Sequence, residues 1–590
     1  LTAWNTEKLI NACSSFTLLK KIPMKNFQLT IIFILTILTA CGKKESPELI
    51  ITNAKIYTVS SGFSDQDAII VKDGKIAELT SSDKAIQQAG DGTEQIDANG
   101  QFVMPGFIEG HGHFSGLGYS LIYLNFLDSK SWEEILAKVE EKVKTAQPGE
   151  WIIGRGWHQE KWDSTPLRNV HGYPFHDELS KISPDNPVML RHASGHGLFA
   201  NAKAMELSGV TKETPNPSGG EIVRSSNGEA IGMFEERAMS NITATFREYQ
   251  EGLSQEELTA LWYTAIEKAE EECIKKGVTS FQDAGSSFTE LERYEKLAVD
   301  GELDIRLWAM ARHGSEMLKG KVGNYRKIGV GNDFYTCRAI KSEVDGALGA
   351  FGAWLLKPYN DKPDFVGQNT TDIYEVKKIA DIALENDMQL CVHAIGDRAN
   401  QVVVDLFEER INSKSKGTDM RWRMEHAQHL DTADIPRFAD LNIIASMQGI
   451  HCTSDAPFVE KRLGYERAKY GAYPWRSLLD AGVVIANGTD APVEDVDPIE
   501  SYYASVTRKR ADSGFEFFPE QSMTREEAVY SYTLGNAFAG FEEDIKGSID
   551  VGKYADLVIL SKDLINCTDD EILDTKIFYT IINGKVKYKL

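Results

Sequence analysis

Short β-type runs alternate with helical stretches through the middle of this chain, and no other property narrows its possible folds as far. Val278–Asp283 follows a helical stretch from Glu256 to Lys276, and Asp304–Met310 follows another from Thr289 to Val299. Arg338–Lys341, Gln389–His393, Arg421–His426, Ile443–Met447 and Val483–Asn487 continue the series, and Phe107-Ile108 begins it, giving eight runs. This alternation predicts an α/β fold with a parallel sheet, and eight repeats predict a closed (β/α)8 TIM barrel. The gap between the first and second runs is too long for one helix. An insertion after the first barrel strand is therefore expected over about residues 120–250, carrying Trp151, Trp157 and Trp162.

Both ends of the chain look different from this body. Leu49–Thr58, Ala68–Ala77 and Gln101–Met104 are β-type runs, and Asp73-Gly74 is a hairpin turn signal. Ala555–Leu560 and Ile577–Val586 repeat the pattern, with Asn583-Gly584 as the turn. Neither end has enough strands for a stable sheet by itself. One small β-sandwich domain built from residues 49–104 and 541–590 is expected, with the barrel in residues 105–540. A length of 590 residues also calls for more than one structural unit.

The formal net charge of −24 argues against a sequence-independent nucleic-acid binder, because phosphates would repel the chain. Met24-Lys25-Asn26 followed by the apolar run Phe27–Leu38 fits a signal peptide better than a membrane span. Leu38-Thr39-Ala40-Cys41 resembles the bacterial lipobox. Residues 1–40 are accordingly read as upstream sequence plus a lipoprotein signal peptide, with Met24 as initiator. Cys41 is read as the lipidated first residue, and residues 41–48 as a tether. The expected location is the bacterial cell envelope, with the membrane reached through the lipid anchor only. Cys273, Cys337, Cys391, Cys452 and Cys567 are scattered without a Cys-x-x-Cys, so they read as small hydrophobes rather than a disulfide framework.

Chemistry gathers at the ends of the runs. His111 and His113 sit one residue apart after the first, and in an extended segment they project to one side, as a metal ion requires. Alone, the pair is a weak signal. Lys341 ends the fourth run, His393 the fifth and His426 the sixth, and Asp490 lies just past the eighth. The C-terminal strand ends of a (β/α)8 barrel converge on one mouth, so residues hundreds of positions apart can share one metal centre.

Pro105-Gly-Phe-Ile-Glu-Gly-His-Gly-His113, Ile340-Lys-Ser-Glu-Val-Asp-Gly-Ala-Leu-Gly349, Val392-His-Ala-Ile-Gly-Asp-Arg398, Met424-Glu-His-Ala-Gln428 and Gly488-Thr-Asp-Ala-Pro492 together resemble the amidohydrolase superfamily. The match is to amidohydrolase family 3, which includes N-substituted formamide deformylases, and it covers about residues 49–590. The resemblance implies one or two divalent metal ions, with zinc expected. His111 and His113 would hold the first ion, with Asp490 touching it, and His393 and His426 would hold the second. Lys341 would bridge them as an N-carboxylated side chain, because an ammonium cannot ligate a cation. Asp490 would be the general base of a metal-dependent hydrolase cleaving a C–N bond in a small amide-like substrate, such as a linear, N-acyl or N-formyl amide. A cyclic amidase, a deaminase and a non-catalytic metal-containing binding lipoprotein are the alternatives, and a homodimer is compatible with the sequence. Glu109 and Ser342-Glu343 depart from the family pattern, and Glu343 is a carboxylate that could compete near the metals. His196 and His451 are candidate substrate-side residues, Trp157 a candidate wall of the pocket, and His429 is expected to face outward or cap a helix.

Overall fold

The computed structural model describes residues 46–413 and 418–590; the expected leader, Cys41 and most of the tether lie outside the described residues. Eight strands form one sheet in spatial and chain order: Phe107–Gly112, Val278–Ser286, Arg306–Ala311, Tyr335–Glu343, Gln389–Ala394, Arg423–His426, Ile444–Gln448 and Ile485–Gly488. Every neighbouring pair among these eight is parallel, with a short ninth strand, Lys327–Gly329, antiparallel on the fourth, so the body is the α/β barrel that the alternation predicts.

The barrel closes between its first and eighth strands largely through side chains. Asn536 donates from Nδ2 to the carbonyls of Ile108 and Asn487 at 2.6 and 2.7 Å, and its Oδ1 accepts the Asn487 N–H at 3.0 Å. Glu109 accepts from the Thr489 N–H at 2.6 Å and from its hydroxyl at 3.0 Å. The departure at Glu109 thus has a place: its carboxylate ties the first strand to the segment that carries Asp490.

Helix Phe114–Ile122 follows the first strand, and helix Gln255–Lys275 leads into the second. The two helices pack closely at Gly118, where a Cβ would lie 1.8 Å from the Ala265 carbonyl oxygen. Between them, strands from Leu124 to Glu236 build a separate six-stranded sheet with its own cores. Trp157 is fully buried in one of these cores, against Trp162 and Phe199, and its indole N–H donates to the Leu190 carbonyl at 2.9 Å.

At the ends of the chain, Phe102–Pro105 pairs with Leu557–Leu560 in a five-stranded sheet. A four-stranded sheet from Leu49 to Asp97 packs on it, and Leu49, Ile51, Ile69, Val71, Val103, Leu557, Ile559 and Ile581 fill the space between. Successive residues alternate across a strand, which is why Leu49 and Ile51 enter this core while Ile50 faces the other way. The five cysteines of the described residues are free thiols, four of them buried and Cys567 half-buried.

Candidate metal centre

His111 ends the first barrel strand with its ring fully buried. The glycines beside it are there for packing: a Cβ on Gly110 would lie 2.5 Å from the Asn487 carbonyl oxygen, and one on Gly112 the same distance from the Phe281 ring. His111 Nδ1 pairs with the Glu425 carboxylate. Arg423 grips that carboxylate in turn, Nε to Oε1 at 2.6 Å and Nη2 to Oε2 at 3.1 Å. Burial pushes Glu425 up, but Arg423 and then His111 hold it well below the usual carboxylate range. A carboxylate on Nδ1 fixes the tautomer and leaves the Nε2 lone pair free, as in metal-ligating histidines.

That lone pair faces a shared point. His111 Nε2 lies 3.6 Å from Asp490 Oδ1, and His113 Nε2 lies 3.3 Å from the same oxygen. The His426 ring is 4.6 Å from that of His111 and 4.4 Å from that of His393, centre to centre. His426 Nδ1 is 2.8 Å from Gln448 Oε1, which leaves its Nε2 as the free nitrogen. Lys341 Nζ is 3.5 Å from His111 Nε2. Two residues of the expected ligand set sit in the left-handed backbone region, His426 at φ 73° and Asp490 at φ 59°. Such strain persists where surrounding structure enforces it, and it clusters at functional sites.

The donor set fits a metal. Ligand atoms of His111, His426 and Asp490 lie within 4.8 Å of one another. His393 Nε2 and Asp490 Oδ1 are buried and make no hydrogen bond, a costly state unless something else binds them. Burial, reinforced by Lys341, draws His111 down to about 4. Burial also holds His393 and His426 well below their ordinary value. The imidazoles are therefore neutral at neutral pH, as a metal ligand must be. Burial pushes Asp490 up, but the imidazoles of His113, His111 and His426 keep it well below the usual carboxylate range. Buried Lys341 is pulled down from its ordinary value, against the opposing charge of Glu425.

A cavity of about 340 Å³ opens over this cluster, lined in part by His196 and His451. His196 lies 5.3 Å from the His393 ring, and its Nδ1 is 2.9 Å from Glu236 Oε2. His451 Nδ1 is 3.0 Å from Gln428 Nε2, while its Nε2 has no partner. Trp157 corrects its expectation: it is absent from the cavity wall, because the insertion sheet buries it in its own core. His429 is also unlike its expectation, being buried beside Tyr473. Glu343 lines the cavity but is taken up by Arg312.

Glu425 and Arg423 support the expected ligand His111, and the strand pattern does not single them out; the available signal was a pair of charged residues beside His426. Glu425→Gln is expected to weaken metal binding roughly 10–100-fold, the usual cost of losing a ligand's hydrogen-bond partner. Competition against a metallochromic chelator measures it, and unchanged affinity would leave Glu425 a purely structural group.

A family model described as amidohydrolase family matches residues 94–588. The chain is 30% identical to the putative amidohydrolase YtcJ of Bacillus subtilis (strain 168), over 90% of this chain and 98% of that one. It is 27% identical to the N-substituted formamide deformylase of Arthrobacter pascens, over 92% of this chain and 98% of the other. Among solved structures, an uncharacterized metal-dependent hydrolase from Pyrococcus furiosus superposes with a TM-score of 0.67 at 27% identity, covering 88% of this chain and 100% of that one.

Proposed function

The chain belongs to the amidohydrolase family and is a metal-dependent hydrolase, and from that premise we propose that it cleaves the C–N bond of a linear amide, giving a carboxylic acid and an amine. The observation that carries this reading is the convergence of His111, His426 and Asp490 within 4.8 Å, with His426 and Asp490 lining the cavity. A relative named for deformylation of N-substituted formamides supports the linear amide over the cyclic one.

His111 and His113 would hold one divalent ion with Asp490, His393 and His426 would hold a second, and N-carboxylated Lys341 would join them. When bound, such ions, with zinc expected, acidify water and polarise a carbonyl oxygen. The remaining chemistry belongs to the chain. Asp490 Oδ1, ionised and without a hydrogen bond, accepts a proton from the attacking water and returns it to the leaving nitrogen. Glu425 holds the His111 ring in place. His196 and His451 contact the substrate from the wall.

The test is a panel of N-formyl, N-acyl and cyclic amides with aminated heterocycles, run on protein of measured metal content. Turnover of linear amides, lost on chelation and restored by zinc, is the expected result. Turnover of cyclic amides or aminated heterocycles alone, or full activity in metal-free folded protein, would overturn the reading. The lipid anchor and envelope location are a separate part of the proposal, tested by mass spectrometry for a diacylglyceryl group on Cys41.

A further inference from the structure

Arg155 and Arg191 stand side by side in register on the parallel insertion strands Ile152–Trp157 and Val188–His192. Registered neighbours share a face of the sheet, where like charges destabilise each other. Neither has a carboxylate partner among the described residues. Arg155 donates from Nη2 to the Ala193 carbonyl at 3.2 Å, and its Nη1 is buried with no partner at all. Asp490 and Glu494 act on Arg155 only at longer range, neither in ion-pair contact, so two adjoining guanidinium groups remain costly to hold away from water. In a chain of net charge −24, with carboxylates plentiful, folding alone does not account for them.

Their position gives the reason. Arg155 lines the cavity together with His113 and Asp490. Arg191 lines an adjoining outer recess with Arg237 and Arg247, and the two recesses meet at Glu236, Arg237, Arg312 and Glu343. The acidic groups there are already engaged: Glu343 with Arg312, Glu236 with His196, Glu494 with Lys161, Asp455 with the Tyr473 hydroxyl and Asp490 with the His111 and His113 imidazoles. Burial draws Arg155 down only to about 10, so it stays charged at neutral pH.

We propose that the substrate is an amide bearing a carboxylate, which Arg155 receives inside the cavity and Arg191 supports from the outer recess. The guanidinium fork matches a carboxylate bidentately and cannot be satisfied in the same way by a neutral group. The proposal rests on the amide-hydrolase reading for the reaction, and on the arginines for the identity of the substrate.

The experiment is calorimetry on the metal-loaded full chain, silenced by Asp490→Asn, with matched pairs of ligands. N-acyl amino acids and monoamides of dicarboxylic acids are each compared with the counterpart whose carboxylate is a primary amide. The carboxylate member is expected to bind about 10–100-fold more tightly, the range of a hydrogen bond to a charged group. Arg155→Met should abolish that ratio, Arg155→Lys should keep part of it, and Arg191→Met should reduce it. The last two serve if Arg155→Met fails to fold. Equal binding of the paired ligands, or a ratio unmoved by substitution at both arginines, overturns the proposal. Steady-state turnover by the unsubstituted enzyme separates the two readings. Arginine-dependent carboxylate binding without hydrolysis would sink the amide-hydrolase reading alone, and hydrolysis of neutral amides in preference to carboxylates would sink this one alone.

Discussion

Asp490→Asn is expected to lower kcat by about 10²–10⁴-fold, the usual contribution of a positioned general base. The change removes a charge and a proton acceptor while altering the shape of the side chain hardly at all. Folding should survive it for two reasons. Asp490 has φ 59°, in the left-handed region, and asparagine tolerates that region better than most residues. The contacts that tie this segment to the first strand do not use the Asp490 side chain: the Asp490 N–H donates to the His111 carbonyl at 2.8 Å, and Thr489 donates to the Glu109 carboxylate. An amide oxygen can still face a cation, so metal content should fall less than activity. The measurement is kcat, KM and metal content on the same preparation, with thermal unfolding as a control. A loss in kcat with metal retained is the expected pattern. Parallel loss of metal and activity would make Asp490 a ligand without a role as base, and unchanged kcat would remove it from the chemistry.

The barrel was readable because its signal repeats. Short β-type runs recur eight times through the body, and each of the six expected ligands lies at or just past a strand end. Once parallel pairing is assumed, the strand ends must meet. The insertion lacked such a rule. Its strands pair both parallel and antiparallel, so nothing in the order of the residues says which face of Trp157 meets solvent, cavity or core. Large aromatics are core residues by default, and that is where this one lies. The same obstacle hid Arg155: its neighbour Arg191 stands on a different strand, and only the register places them together. Glu425 escaped for a subtler reason. It precedes His426 in the same short strand, and its meaning depends on Arg423 and on His111, a residue of the first strand. Carboxylates in strands are usually read as solvent-facing, whereas this one is paired on both sides in the barrel interior.

Lys341→Met is expected to cost more activity than the roughly 10–100-fold typical of losing a hydrogen-bond partner of a metal ligand, together with at least one metal ion per chain. A lysine belongs poorly at this position if it remains an ammonium. It is buried, with its Nζ 3.5 Å from the nitrogen of His111 that faces the cluster, and a cation there would repel any metal held by the neighbouring imidazoles. Burial lowers its basicity and favours the free amine, the form that attacks carbon dioxide. The new N–C bond forms as the nitrogen gives up a proton, and the product is an anion that can ligate where the ammonium could not. Methionine preserves volume without charge, so thermal stability should hold or rise even as metal is lost. Lys341→Ala then decides between the two forms of the side chain, because it leaves room for a small molecule. If the native group is a carbamate, acetate or formate should restore metal content and part of the activity, and metal loading of the unsubstituted chain should require bicarbonate. If the lysine acts as a cation, methylammonium should rescue in place of the acids, and bicarbonate should make no difference.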